Sequence, residues 1–276
     1  MSAPGVMLGL TLPSFVEDPE VPLAVARAAE AAGLDGVFVY DHLFRVTGDG
    51  TRRPALEGVA LLGATAATTT RIAVGALVFR AGLRPPASLA AAVATAARVA
   101  PGRVMTAIGA GDSESRVENE SFGLGFGTMN EWVEQLRSAV RATRDQGARI
   151  WVGGTAGAVR AVAASEADGW NAWGGPPEQF AARASEAQAT AVRPVFECTW
   201  GGLFVLGEDD ASAHEKADRL GASAGTIVGG PETVAQAIDT YARAGAAWVI
   251  IAPVDSRDPE NALRLGGRVR ELLEAR

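Results

Sequence analysis

A carboxylate and a histidine stand side by side where a short apolar segment ends. Asp41 and His42 follow the run GVFVY at 36–40, and His42 is one of only two histidines in the chain. A β-branched and aromatic run between glycine and polar residues predicts a buried strand. Strand ends carry the chemistry in parallel α/β proteins, so we expect both side chains to point into a cleft and His42 to exchange protons there. The alternative is that Asp41 caps a helix and His42 lies on the surface.

A glycine-rich segment follows another apolar run. The segment IGAGDSE at 108–114 places Gly109, Gly111 and Asp112 at the end of a predicted strand. Glycines would let a planar ligand approach the backbone, and Asp112 would project into the same cleft as His42. Glu114 stands where a dinucleotide-binding fingerprint has its third glycine, which argues against a Rossmann fold. The alternative is a plain turn capped by Asp112.

A second glycine-rich segment, WVGGTAGA at 151–158, leads from a predicted strand into a helix. Its small residues would expose backbone N–H groups at the helix N-terminus, which with the helix dipole is typical of a phosphate-binding turn. The absence of the P-loop lysine argues against a nucleoside triphosphate. A third segment, 228–234, has Pro and Glu at its helix start and is interpreted as structural. The candidate phosphate-binding residues are Gly153, Gly154, Thr155, Ala156 and Gly157.

Metal and covalent chemistry lack the residues that they need. Two distant histidines, the single Cys198 and the lack of an HExxH or clustered carboxylate pattern predict no catalytic metal. The chain has no GxSxG segment, which argues against a serine nucleophile. The only lysine, Lys216, falls in a predicted outer helix, which disfavours a Schiff-base lyase or isomerase.

The charge balance limits the class of partner. The chain of 276 residues has a formal net charge of -7 and a sequence pI near 5.0. These values argue against nucleic acid or an anionic membrane as the main partner, without excluding a local basic pocket. A single cysteine suggests a reducing, cytoplasmic location. The apolar segment 6–12 is too short for a signal peptide or membrane span, so we expect it to form the first strand.

The elements that must position these residues alternate along the chain. Alanine-rich helical stretches run directly into apolar strands at 31–38, 165–170 and 243–251, as in βα repeats. Eight strands separated by helices predict an α/β protein with a parallel sheet, closed into one (β/α)8 TIM barrel domain over residues 1–276. The predicted strands are 6–12, 36–40, 71–78, 103–108, 149–152, 168–173, 196–206 and 247–251. The predicted helices are 20–32, 55–67, 87–100, 130–146, 158–166, 177–189, 211–221 with 231–244, and 259–274.

Six segments, taken in order along the chain, resemble segments of a known protein family. They are GLDGVFVYDH at 33–42, RIAVG at 71–75, PGR leading to GAGD at 101–112, ENESFGL at 118–124, WVGG at 151–154 and ADGW at 167–170. Together they resemble the bacterial luciferase-like monooxygenase family. The resemblance implies a (β/α)8 barrel that binds FMN or the deazaflavin coenzyme F420 at its carboxyl face, and many members are homodimers. The DHL, GAGD and ENESFGL segments are most similar to deazaflavin-dependent members.

The resemblance implies roles for individual residues. It places Asp41 and His42 near the reactive ring, with His42 in an acid/base or ring-positioning role. It places a non-prolyl cis peptide at Gly75-Ala76, against the ring. Asp112 matches a position that is Glu in sugar-phosphate-oxidising relatives. The turn 154–157 matches the phosphate-binding turn.

The implied function is hydride transfer between F420 and a small organic substrate, by a cytoplasmic homodimer. One departure concerns the pocket wall: relatives commonly have an extended hairpin or loop before the WVGG strand, whereas here 144–147 leads directly to 149–151. The insertion between strands 4 and 5 is therefore shortened. An FMN-dependent monooxygenase and a non-catalytic flavin- or deazaflavin-binding relative remain as alternatives.

Overall fold

A parallel sheet closed into a barrel forms the centre of the protein. The computed structural model describes residues 5–46, 50–112 and 115–276. Neighbouring strands of the large sheet pair in parallel, in the order β5-β2-β1-β12-β10-β9-β8-β7-β6, and β11 pairs with β10. The strands are β1 Met7–Thr11, β2 Gly36–Val39, β3 Phe44–Val46, β4 Arg52–Pro54, β5 Ala73–Ala76, β6 Phe79–Arg80, β7 Met105–Gly109, β8 Arg149–Gly153, β9 Gly169–Trp173, β10 Glu197–Leu206, β11 Ile227–Gly229 and β12 Trp248–Pro253.

Helices cover the outside of the barrel. All eight predicted strands and the helices between them are present, and the predicted (β/α)8 barrel is confirmed. Within the described ranges, no helix is long and apolar enough to cross a membrane. The helices are α1 Glu20–Ala31, α2 Gly58–Thr68, α3 Pro86–Val99, α4 Arg116–Ser121, α5 Met129–Thr143, α6 Gly157–Glu166, α7 Pro177–Thr190, α8 Asp210–Leu220, α9 Pro231–Arg243, α10 Glu260–Arg264 and α11 Arg270–Glu274.

The barrel closes between its third and fourth strands. β5 pairs with β2, and after a two-residue break β6 pairs with β7, so β5 and β6 are two halves of one barrel strand. A parallel bridge joins Val74 to Val104. The Ala76 N–H also donates to Thr106 Oγ1 at 2.9 Å. These contacts connect the third strand to the fourth and complete the ring.

The break in the third strand corrects one expectation. The cis peptide bond lies between Leu77 and Val78, and not at Gly75-Ala76. Gly75 and Ala76 are instead paired in register with β2, because the regular strand continues to Ala76 before it breaks. Gly75 serves closure: a β-carbon there would overlap the carbonyl oxygen of Met105 on the fourth strand.

Aromatic side chains fill the barrel interior. Phe38, Trp151 and Trp248 contact one another with ring centroids 5.8–6.0 Å apart. Leu77, Ala107 and Ile250 complete this buried cluster. The interior is therefore a packed core, as in other barrels of this kind, and it holds the strand ends that carry the candidate site.

Four local elements differ from the prediction. The hairpin of β3 and β4, the short helix α4 and strand β11 were not predicted, because each is short and lacks an apolar period. The predicted helix 259–274 is divided by a π-helical segment, Leu265–Val269, in which Gly267 leaves the helical region.

Candidate active site

A buried carboxylate holds the His42 ring at the carboxyl end of β2. His42 Nδ1 lies 3.0 Å from Glu118 Oε2, and the Leu43 N–H donates to the other oxygen of Glu118. The Glu118 side chain, on α4, is 5% exposed, whereas that of His42 is 34% exposed. An ionised carboxylate only accepts hydrogen bonds, so it fixes Nδ1 as the donor. Nε2 is then the unprotonated ring nitrogen at the barrel mouth, the end of the barrel where the strands have their carboxyl ends.

Glu118 is ionised although it is buried. Burial favours the neutral acid, but hydrogen bonds from His42 and from the Leu43 amide, together with the charge of Arg80, outweigh it and lower the pKa of Glu118. Arg80 Nη2 lies 3.0 Å from Glu118 Oε1. Arg80 Nη1 donates to Asn119 Oδ1 at 3.0 Å. The end of the third strand thus positions the carboxylate that positions the histidine.

Asp41 lies inside the barrel wall. Its side chain is fully buried and forms two hydrogen bonds of 2.8 Å with Arg84, from the loop after β6. It also accepts the Arg80 N–H at 2.9 Å. Arg84 in turn bonds at 2.6 Å to Glu57, the N-cap of α2. Asp41 was expected to point into a cleft, but its carboxylate points into the barrel wall, where it bonds to Arg84. This pair connects the ends of the second and third barrel strands.

Asp112 bonds to Ser115, the N-cap residue of helix α4. Its Oδ1 accepts hydrogen bonds from the Ser115 N–H at 2.9 Å and from the Ser115 hydroxyl at 3.0 Å. This is the capping arrangement that the sequence left open as the alternative for Asp112. Ser113 and Glu114 of the same segment lie outside the described residues.

Val78 occupies the space above two of the candidate cofactor-binding glycines. A β-carbon on Gly109 would lie 2.6 Å from Val78 Cγ2, and one on Gly153 would overlap Val78 Cγ1. These glycines make room for a side chain of the protein itself. In contrast, a β-carbon on Gly111 or Gly157 would meet no described atom within 4 Å. Open space at the mouth therefore lies beside Gly111 and Gly157.

The turn after β8 presents a helix N-terminus without a side-chain cap. Helix α6 begins at Gly157 and its N-cap, Ala156, has no capping side-chain bond. Residues 155–157 are exposed. A side chain of the neighbouring strand β9 stabilises the turn, because Trp170 Nε1 donates to the Gly154 carbonyl at 2.7 Å. The first-turn N–H groups of α6 are therefore a donor set that suits a phosphate.

Aromatic rings line the rim beside His42. The Phe15 ring, after β1, has its centroid 5.5 Å from that of His42 and 6.4 Å from that of Tyr40. Trp173, 41% exposed, contacts Tyr40 edge-on at 6.5 Å. Burial raises the pKa of Tyr40 to about 12, and its neutral hydroxyl donates to Thr11 at 3.0 Å. Such a rim suits a planar, apolar group.

A small pocket opens beside Arg80 and Asn119. It lies between the end of the third strand, helix α4 and helix α5, and its empty space of about 340 Å³ includes open solvent. Its lining includes Arg80, Gly111, Asn119, Trp132 and Gln135. Guanidinium, amide and aromatic groups here can contact a small polar molecule.

Among the described residues, metal-binding and Schiff-base groups do not gather at this mouth. In the part of the chain that the structure describes, no three His, Cys, Asp or Glu side chains are placed to hold a metal ion. Lys216, on α8, donates to the Leu206 carbonyl at 3.0 Å and pairs with Asp255. The lysine amine is therefore held by the barrel wall.

Sequence reasoning missed the charged groups that organise the site. Glu118 lies in the ENESFGL segment, and its role does not follow from local sequence, nor do the roles of Arg80 and Arg84. The sequence signal that could identify these residues is their position at the end of a strand: Arg80 ends a barrel strand, and His42 follows one. The same signal would have found Phe15.

Comparison with known proteins identifies related sequences. The family model described as luciferase-like monooxygenase matches residues 9–225. An F420-dependent glucose-6-phosphate dehydrogenase from Beutenbergia cavernae is 35% identical over 140 residues, which cover 50% of this chain and 40% of that protein. One from Nakamurella multipartita is 30% identical over 154 residues, 55% of this chain and 43% of that protein. The matches span less than half the length of these relatives.

Solved structures share the barrel. An F420-dependent secondary alcohol dehydrogenase in complex with an F420-acetone adduct has a TM-score of 0.80 at 15% identity, and the match covers 97% of this chain and 99% of that one. A riboflavin lyase with modified FMN and riboflavin has a TM-score of 0.78 at 13% identity, with 99% and 92% covered. At these identities the likeness shows the fold alone.

Proposed function

Because the chain belongs to the luciferase-like monooxygenase family, we propose that it is an oxidoreductase that transfers a hydride between coenzyme F420 and a small organic substrate. The observation that carries this proposal is the His42–Glu118 pair at the barrel mouth, with Nδ1 and Oε2 3.0 Å apart. The F420-dependent relatives support the choice of cofactor. The site lies at the carboxyl ends of the strands, where barrel enzymes hold their ligands.

The residues at the mouth fit two parts of such a cofactor. The uncapped first turn of α6 and the Thr155 hydroxyl would hold its phosphate. Val78 and the aromatic rim of Phe15 and Tyr40 would contact its planar ring, and Gly111 leaves backbone open beside them. When bound, the coenzyme would accept or supply the hydride.

The chain itself would manage the accompanying proton. In the oxidation of an alcohol, His42 Nε2 would accept the hydroxyl proton, and in the reverse direction it would return that proton. Glu118 would stabilise the charged ring, and Arg80 would keep Glu118 ionised. Asp41 and Arg84 would hold the neighbouring strand ends in place as positioning residues. The aromatic rim would exclude water.

FMN is the alternative cofactor. The family is named for monooxygenases, and the riboflavin lyase structure with modified FMN shares the barrel. Titration of the purified protein with oxidised F420 and with FMN, followed by fluorescence or absorbance, separates the two. We expect tighter binding of F420. A tenfold preference for FMN, about 1.4 kcal/mol, would overturn the deazaflavin assignment and leave the fold intact.

The role of His42 is tested by measuring F420 affinity and substrate turnover separately in variants. A panel of enones, nitroaromatics, imines and alcohols is first assayed with reduced or oxidised F420 to find a substrate. His42→Ala should then lower turnover roughly 10²–10⁴-fold and leave F420 affinity nearly unchanged. His214→Ala, which changes the exposed histidine of α8, should match the wild type. Wild-type turnover in His42→Ala would refute the proton-transfer role.

We further propose a cytoplasmic homodimer that acts on a small molecule and binds neither nucleic acid nor membranes. The family resemblance supports the dimer, and the net charge of -7 supports the exclusion of polyanionic partners. The single cysteine, Cys198, is a buried free thiol, which suits a reducing compartment. Light scattering of the purified protein measures the oligomeric state, and a monomeric mass would refute the dimer.

A further inference from the structure

A two-stranded hairpin directly after His42 carries a pair of arginines. Strands β3 and β4 are antiparallel, with Arg45 opposite Arg53. Residues directly opposite each other project from the same face of a hairpin, with β-carbons about 4.5–5.5 Å apart. Both arginines are exposed. Two cations are thus held side by side near the barrel mouth.

The two faces of this hairpin have different surroundings. On one face, Phe44 is buried and its ring stacks on that of Phe122 at 6.2 Å. On the other face, the Arg45 guanidinium lies 5.8 Å from the centroid of the Phe15 ring. Phe15 in turn contacts the His42 ring at 5.5 Å. The face with the paired arginines therefore turns toward the mouth.

Within the described ranges of the chain, Arg45 and Arg53 have no carboxylate partner. No carboxylate among the described residues forms an ion pair with Arg45 or Arg53, although like charges directly opposite each other destabilise a hairpin. Arg257, after β12, donates to the Phe15 carbonyl at 3.1 Å and adds a third cation. These three arginines lie in a chain whose net charge is -7. Arginines gathered in this way bind carboxylate and phosphate groups.

We propose that the Arg45 and Arg53 face of the hairpin binds an anionic group, a carboxylate or a phosphate monoester, on the substrate. The proposal rests on the proposed function, since the anion would anchor one end of a molecule that reacts beside His42. The hairpin follows β2, whereas the turn that fits the cofactor phosphate follows β8, and two barrel strands separate β2 from β8 on one side of the closed sheet and four on the other. The two anion-binding positions are therefore distinct.

The test uses inorganic phosphate and acetate as probes of the cofactor-free protein. Labelling of histidine with ¹³C and ¹⁵N yields two sets of ring signals, and His42→Ala assigns them. At constant pH and ionic strength, phosphate or acetate should shift the His42 signal saturably and leave that of His214 unchanged. The probe with the higher affinity identifies the chemical class of the anion.

Three variants locate the binding site. The double variant Arg45→Gln and Arg53→Gln should bind the preferred anion at least tenfold more weakly, about 1.4 kcal/mol. The pair Arg45→Lys and Arg53→Lys keeps the charges and should retain saturable binding, which controls for damage to the hairpin. The pair Arg98→Gln and Arg219→Gln removes the same charge from exposed positions on α3 and α8 and should bind as the wild type does.

Two results would overturn the site: no saturable shift in the wild type, or equal affinity in the Arg45→Gln and Arg53→Gln variant. Saturation with F420 before the titration separates the ligands. If F420 abolishes the anion response, the arginines hold the cofactor and the substrate assignment fails. If the anion binds at the arginines and F420 does not bind at all, the anion site is supported and the proposed function is refuted.

Discussion

Glu118 determines which nitrogen of His42 faces the barrel mouth. A buried carboxylate without partners would be costly, but this one has the Leu43 N–H, the His42 ring and the Arg80 guanidinium around it. Their combined effect lowers the pKa of Glu118 against the opposing effect of burial. The ionised carboxylate can only accept, so the imidazole must donate through Nδ1.

The first prediction concerns this pair. Glu118→Gln keeps the size of the side chain and removes its charge, so the charged form of the His42 ring loses a stabilising neighbour. We expect turnover of the substrate found for the wild type to fall at least about tenfold, with F420 affinity nearly unchanged.

Glu120→Gln is the matched control for that variant. Glu120 lies on the same helix, and its exposed side chain is 3.6 Å from Arg116. This substitution removes the same charge from an exposed position and should leave turnover unchanged. Wild-type turnover in Glu118→Gln would show that the carboxylate does not act on the histidine.

At the scale of single elements, the start of helix α6 allows a test that spares the fold. Gly157 does not have a positive φ, and a β-carbon there meets no described atom within 4 Å. An aspartate in the first turn favours a helix by about 0.3–1 kcal/mol but repels a bound phosphate. Gly157→Asp should therefore keep or raise the melting temperature and weaken F420 binding at least tenfold. Gly157→Ala should retain wild-type affinity, and equal affinity in the two variants would place the phosphate elsewhere.

Helices α5 and α6 are joined by one carboxylate with three arginines. Glu166, 7% exposed, lies 2.6–3.1 Å from Arg137, Arg141 and Arg144. Glu166→Gln would leave three cations facing one another, so we expect a loss of about 2 kcal/mol in the free energy of unfolding by urea. That magnitude is below the cost of breaking a fully buried pair, because the arginines are partly exposed.

Glu134→Gln is the control for this loss. Glu134 also lies on α5 and is 3.6 Å from Arg137, but its side chain is 72% exposed. Its substitution should change the free energy of unfolding by less than about 0.5 kcal/mol. Similar losses in the two variants would show that Glu166 does not connect the helices.

At the scale of the whole molecule, barrel closure depends on Gly75. A β-carbon at this position would overlap the Met105 carbonyl, which is backbone and cannot rotate away. Gly75→Ala should lower the free energy of unfolding by about 4 kcal/mol or more, or prevent folding. Gly63→Ala, in helix α2, meets no described atom within 4 Å of the new carbon and should be neutral or stabilising by up to about 1 kcal/mol. Equal stabilities would refute the tight closure.

The whole molecule should also lose stability in acid. In the folded protein, bonds to Arg141 and the other arginines lower the pKa of Glu166, and the partners of Glu118 lower its pKa despite burial, both from an ordinary value of 4.5. Such carboxylates contribute stability above their unfolded pKa, and this contribution is lost as the pH falls through the folded pKa. As the pH is lowered below 4.5, the melting temperature should therefore decrease. In the double variant Glu118→Gln and Glu166→Gln, the melting temperature should decrease less steeply with pH. Parallel curves would contradict the prediction.

The sequence by itself determined the architecture. Strands buried on both faces are continuous apolar runs, and helices packed on one face have an apolar stripe, so both are visible in local sequence. All eight predicted strands overlap barrel strands, and the position of His42 at the end of β2 follows from the same local pattern. The hairpin of β3 and β4 escaped because its short strands are mainly charged, and tertiary contacts such as the stacking of Phe44 on Phe122 hold it.

Only the tertiary structure decided which side chains meet at the mouth. Glu118 is 76 residues from His42 in the sequence, and Arg84 is 43 residues from Asp41. The break after β5 that brings Val78 over Gly109 and Gly153 also depends on how the third strand meets the fourth. Electrostatic and packing energies depend on distance in space and on burial, and neither quantity is contained in local periodicity. The sequence therefore identifies the strand ends, whereas the folded barrel assigns their partners.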